Sequence, residues 1–140
     1  MKYLYKTLTT LLQGDATLVN LVGYTTTNKN IARGYQPSGE WNKLILYYLQ
    51  PVSNITDFSD QIREIPLIVR VYDRDNDLNV EDMGERVIKL ISDSSLSTSE
   101  QVHVYQVRFA GDLIATSRNE DLKTFEKVLR FSLLVRQDNW

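Results

Sequence analysis

Leu4, Leu8, Leu11 and Leu12 recur at spacings of four, three and one, which puts them on one face of a helix over residues 2–13. Gly14 is placed to end that helix. Asp15 can cap a second short helix carrying Leu18, Leu21 and Val22, and Gly23 closes it. Residues 24–43 are rich in Thr, Asn, Gly and Ser and hold no sustained period. Within them residues 31–36 predict a short strand and PSGEW a turn. LILYYLQ, residues 44–50, reads as a strand from its aliphatic and aromatic content, ended by Pro51. SNITDFSDQ, residues 53–61, reads as a polar loop.

PLIVRVYD, residues 66–73, alternates: Leu67, Val69 and Val71 share one side, Ile68, Arg70 and Tyr72 the other. Pro66 takes the first strand position, where proline is tolerated. Val80, Met83, Val87, Leu90 and Ile91 then mark an amphipathic helix of three to four turns, followed by the serine-rich link of residues 92–100. VHVYQVRF, residues 102–109, alternates again until Gly111-Asp112 interrupts it, and LIATS either continues this strand or folds back. Phe125, Lys127, Leu129, Phe131, Leu133 and Val135 share one side of a long closing strand, with Glu126, Arg130, Ser132 and Arg136 on the other.

Helices and strands do not strictly alternate and no repeat of 20–50 residues occurs. The order predicts an α+β domain: a mostly antiparallel β-sheet with an N-terminal helix and one longer central helix packed on one face. The opposite face, with Tyr47 or Tyr48, Arg70, Tyr72 and Arg130, would be mixed aromatic and charged, as suits a partner better than bulk water.

Composition narrows the functional classes. The 140 residues, 42% hydrophobic and 24% charged, suit a single globular domain over residues 1–140 with a real core. Sixteen basic against eighteen acidic side chains give a net charge of −2, so bulk attraction to nucleic acid or anionic membrane is not the driving force. The absence of cysteine excludes disulfides, thiolate catalysis and cysteine-based zinc sites. The leucines near the amino terminus are interrupted by Thr and Tyr and lack a cleavage signal, so no signal peptide is expected. No apolar run approaches the roughly 18–20 residues that span a bilayer, and no membrane association is expected.

The stretch DRDNDLNVEDMGER, residues 73–86, is the first candidate for chemistry. Asp73, Asp75 and Asp77 match the first three ligand positions of a calcium-binding loop, and a small metal-dependent enzyme built on them is one alternative. The match fails at the sixth position, Leu78 where glycine makes the turn, and at the twelfth, Gly84 where a bidentate glutamate belongs. A strand end, a turn and a capped helix account for the same residues, with Asp77 or Asn79 as cap and Glu81, Asp82 and Glu85 near the helix's positive end. His103 is the single histidine and lies within a strand, and no serine occupies a nucleophile-elbow setting. Gly34–Trp41 has neither Walker nor dinucleotide spacing. No catalytic, cofactor or metal residue is assigned, and no enzymatic activity is expected.

Taken end to end, the sequence resembles phage tail terminator or tail completion proteins. The resemblance runs through LLQGDATLVNLVG, IARGYQP, LILYYLQP, the TDFSD loop, PLIVRVYDRD, RFAGDL and FEKVLRFSLLVR. It implies a virion protein assembled in the host cytoplasm, forming a homo-oligomeric ring, typically of six copies, on the head-proximal end of a tail tube. Such a ring would stop tube polymerisation, present a surface to the head connector or stopper, and let DNA pass without specific binding. A head-completion adaptor or minor tail subunit is the near alternative. Within that frame the closing strand is the expected self-association edge, with Arg130, Leu134 and Arg136 at the interface. The polar loops of residues 53–61 and 111–121, through Asp57, Phe58, Asp112 and Arg118, are expected to meet the tube or connector.

Overall fold

The structure, a computed structural model, describes residues 2–34, 41–50, 62–93, 96 and 102–137. Two helices open the chain, α1 (Lys2–Gly14) and α2 (Ala16–Val22), and a third, α3 (Asp77–Asp93), follows the first three strands. The strands are β1 (Ile31–Arg33), β2 (Lys43–Leu49), β3 (Ile62–Asp73), β4 (Val102–Asn119) and β5 (Thr124–Gln137). They form one sheet in the order β1-β2-β3-β5-β4. Among the described residues only the β1–β2 pairing is parallel; the others are antiparallel. The fold is therefore α+β, with all three helices on one face of a mostly antiparallel sheet.

The leucine face of α1 goes where its spacing directs it. Leu4, Leu8 and Leu12 are fully buried, each contributing about 1.5–3 kcal/mol relative to exposure. Polar groups fix the helix over β1 and β2: the Leu49 N–H donates to the Tyr5 hydroxyl at 2.8 Å, and Gln13 Nε2 donates to the Ile31 carbonyl at 3.0 Å. Asp15 caps α2 by accepting from the Leu18 N–H at 2.8 Å, and Gly23, at φ 75°, ends it in the left-handed region. The last carbonyls of α2 are not left bare. Buried Asn30 donates to the Val22 carbonyl at 2.6 Å, and Lys43 Nζ donates to the Leu21 carbonyl at 3.2 Å.

On α3, Val80, Met83, Gly84, Val87 and Ile91 are buried, the stripe its apolar spacing implied. They pack on Leu67, Val69 and Val71 of β3 and on Leu129, Phe131, Leu133 and Val135 of β5. A side chain at position 84 would meet the Lys127 stem, since a Cβ there lies 3.3 Å from Lys127 Cδ. Glycine leaves room for that buried lysine. Asp15 also takes a two-pronged hydrogen bond from Arg86, at 2.9 and 2.7 Å, which clamps the start of α2 to α3.

Several expected boundaries move. The first strand ends at Arg33, and residues 35 and 36 of its expected span lie outside the described residues. β3 begins at Ile62, so Pro66 sits inside it rather than at its start. Pro66 stands at the last rung of the β2–β3 ladder, where Gln50 N–H reaches its carbonyl at 2.9 Å and only the return bond is missing. That position costs one terminal hydrogen bond, so the strand carries on. Gly111-Asp112 does not end β4 either. Gly111 adopts φ 102° and the strand bends through it, so LIATS continues the same strand. β4 spends 18 residues opposite the 14 of β5, and its register slips between Val104/Gln106, Phe109/Gly111, Asp112/Ile114 and Ile114/Ser117. Each slip sets one extra residue of β4 against β5, as a β-bulge does.

Two measurements follow. Phe131→Ala should lower stability by about 3–5 kcal/mol in urea unfolding, because the ring is fully buried beneath the helices. The Arg86 guanidinium beside Asp15 holds that carboxyl below its usual range. The native state therefore gains stability above the unfolded value of roughly 3.9, and loses it as pH falls through the lower folded value. Arg86→Met should flatten the acid limb of a stability-versus-pH profile between about pH 5 and pH 2.

Candidate interaction surface

Side chains that alternate away from the helices form a second, helix-free face, and the register fixes their neighbours. Three rows cross from β2 to β4: Tyr48, Ile68, Arg130 and Gly111; Leu46, Arg70, Val128 and Ile114; Leu44, Tyr72, Glu126 and Ser117. Beyond β2 the rows continue as Pro66, Ser132 and Arg108, then Glu64, Leu134 and Gln106, then Ile62, Arg136 and His103. Of the two tyrosines offered for this face, Tyr48 occupies it, while Tyr47 points into the core and is 1% exposed.

The face is graded. Toward β2 it is apolar and aromatic: Trp41, Leu44, Leu46 and Tyr72 form a second buried cluster, with the Trp41 and Tyr72 rings 5.8 Å apart. Arg74 lies over the Trp41 ring at 4.6 Å. Arg70 is half-buried and donates to the Tyr48 hydroxyl at 3.5 Å. Burial raises the Tyr72 phenol above its ordinary range against a lowering Arg70 hydrogen bond, so it remains neutral through physiological pH. Toward β5 and β4 the face turns basic and exposed, with Arg108, Arg130 and Arg136. Glu64, which accepts from the Ser132 hydroxyl at 2.5 Å, is its exposed carboxylate among the described residues.

The structure redistributes the residues singled out from sequence. Arg130, Leu134 and Arg136 do share one face, but their strand is not an edge. β5 pairs with β3 on one side and β4 on the other, so its backbone offers no free ladder. The long open edge is β4, with Tyr105, Leu113 and Ile114 exposed at 49%, 51% and 39%. Asp112 and Arg118 belong to β4 rather than to a loop. Asp112 turns to the helix side, where it lies 3.7 Å from Lys127 Nζ, and Arg118 lies 5.0 Å from the Phe125 ring centre. Lys127 is 7% exposed and takes its stronger contact from Glu81, at 3.0 Å. A Thr116 hydroxyl donated to Glu81, together with Lys127, holds that carboxyl below its usual range. Asp57 and Phe58 lie outside the described residues.

The aspartates of DRDNDLNVEDMGER resolve into a turn. Fully buried Asp73 accepts from the Asp75 and Asn76 N–H groups at 2.7 and 3.0 Å and from Asn79 Nδ2 at 3.0 Å. Asp75 and Asp77 point outward, and the three do not form a group that could hold a metal ion. The helix cap is Asn76, whose Oδ1 accepts from the Leu78 N–H at 2.8 Å, rather than Asp77 or Asn79. His103 lies on exposed β4 with its ring centre 4.4 Å from that of Tyr105. Arg108 joins the helix-free face opposite Ser132. Its neighbours on the face depend on bulges that alternation alone does not reveal.

Among the described residues no helix is long and apolar enough to cross a membrane. No protein-family model and no curated protein matches this sequence. Among solved structures, a chain from the virion of a native gene transfer agent particle superposes with a TM-score of 0.70 at 18% identity. The match covers 95% of this chain and 91% of that one. At that identity the likeness shows a shared fold.

Asp73→Ala should strip the acceptor from two backbone amides and one side-chain amide, lowering stability by about 1–3 kcal/mol. Asp73→Asn should retain a larger part of it. Urea midpoints at constant slope would check both.

Proposed function

We propose that this chain is a structural component of a phage-like virion: a subunit that forms a ring on the head-proximal end of a tail tube, stops the tube growing, and offers the joining surface to the head connector. The observation that carries this reading is the end-to-end fold match to a chain of a virion particle, at a TM-score of 0.70 over 95% of the sequence. The resemblance in element order to tail terminators supports the finer assignment.

Capping needs complementary surfaces rather than a reaction. A tube built by repeated addition keeps an open growing end, and a subunit that binds that end while closing on its own copies halts growth. The helix-free face suits such contacts, because it presents exposed arginines together with half-buried Tyr48, residue types enriched at protein interfaces. Arg130, Leu134 and Arg136 are assigned to contacts between copies. Arg118, near the β4–β5 turn, and Asp112, exposed on the same strand 3.7 Å from Lys127 Nζ, are assigned to contact with the tube or connector.

Purified protein viewed by electron microscopy, with and without tail tubes, tests the proposal. Closed rings, alone or at one end of the tubes, are the expected result, and light scattering should give a discrete multiple of the 16.2 kDa chain. Protein that stays monomeric at every concentration and never decorates a tube end would overturn the assignment.

A further inference from the structure

The helix-free face has three exposed arginines, and the opposite side of the molecule carries the charge that would answer them. The outer stripe of α3 runs through Leu78, Asp82 and Glu85, spaced i, i+4 and i+7, all exposed. Leu78 is 67% exposed, an unusual place for a leucine in a helix whose core stripe is already complete. Exposed Asp75 and Asp77 extend the acidic surface at the helix start. Among the described residues, Asp82, Glu85, Arg108 and Arg130 form no ion pair within the chain. The net charge of −2 therefore conceals a local separation, with exposed arginines on the helix-free face and exposed carboxylates along the first half of the outer side of α3, before exposed Lys89.

Building on the ring reading above, we infer that copies associate head to tail, the Leu78–Asp82–Glu85 stripe of one seating on the Arg108, Arg130 and Leu134 surface of the next. Patches on opposite sides of a molecule cannot satisfy each other within a two-fold dimer, where the same patch meets itself and like charges would oppose. Repeated head to tail, such a contact gives a ring when the rotation closes and a filament when it does not. The exposed leucine supplies apolar contact at the centre, and the charges set register and discriminate against the reversed arrangement. Sheet edges do not offer the same closure: joining copies edge to edge would set the three residues of β1 against the eighteen of β4.

A charge-swap experiment tests this with full-length protein. One variant carries Arg108→Glu and Arg130→Glu, the other Asp82→Arg and Glu85→Arg, with unfolding midpoints confirming that both fold. Each alone should associate more weakly than the wild type by more than about tenfold, because like charges now face each other. An equimolar mixture should regain association, since the altered stripe of one variant fits the altered face of the other, and the two unaltered patches fit each other as in the wild type. Wild-type association should weaken as salt rises. Undiminished association of either variant alone, or a mixture that stays dissociated, would overturn the surface assignment while leaving a ring possible. A duplex DNA probe released by the arginine variant while self-association persists would also overturn it, giving the basic face to a polyanion. A wild type that never associates would sink the ring reading itself.

Discussion

Three helices cover one face of a five-stranded sheet, and that one-sided burial governs the remaining architecture. Leu4, Leu8 and Leu12 from α1, Leu18 and Val22 from α2, and Val80, Met83, Val87 and Ile91 from α3 converge on a single apolar layer. The opposite face has no helix over it among the described residues, yet Leu44, Ile68 and Val128 on it are almost wholly buried. Its two flanks therefore do different work: the side near β2 is consolidated by Trp41 and Tyr72, and the side near β4 stays open and basic. A sheet divided in this way has a permanent inside and a surface left over for association.

Polar groups inside the molecule serve that division. Asp73 ties down the turn into α3, Asn30 and Lys43 finish α2, and Asp15 links α2 to Arg86. Lys127 is the boldest case. It points into the helix side between Glu81 and Asp112, and its stem fills the space left by Gly84. A buried ammonium is tolerated because two carboxylates meet it, and the arrangement anchors the far half of β4 to α3. Of the three aspartates that suggest chemistry in a linear reading, Asp73 is occupied in holding the turn between β3 and α3.

Much of this was legible from residue order alone. The leucine spacing of α1, the apolar stripe of α3 and the two sides of β3 and β5 follow directly from periods of 3.6 and 2, and the structure retains them. What escaped depends on neighbours distant in the chain. Pro66 reads as a strand start until β2 is known to end beside it. The closing strand reads as an edge until β4 is known to lie outside it. Gly111-Asp112 reads as a break because a bulge interrupts strict alternation while leaving the pairing intact. The basic patch suffers from the same blindness, since Arg108 and Arg130 become neighbours only across a register set by those bulges.

The surplus of residues in β4 also bears on how such a strand can change over generations. Every inserted residue resets which side chains face inward for the stretch beyond it. Deleting Ala110, for example, would carry Asp112 and Thr116 away from Lys127 and Glu81 and leave that pair without its β4 partners. Exchanging one side chain for another leaves this bookkeeping intact, whereas gaining or losing a single codon scrambles it. Substitutions on the outward side of the hairpin thus leave its pairing frame unchanged, whereas a change in its length does not.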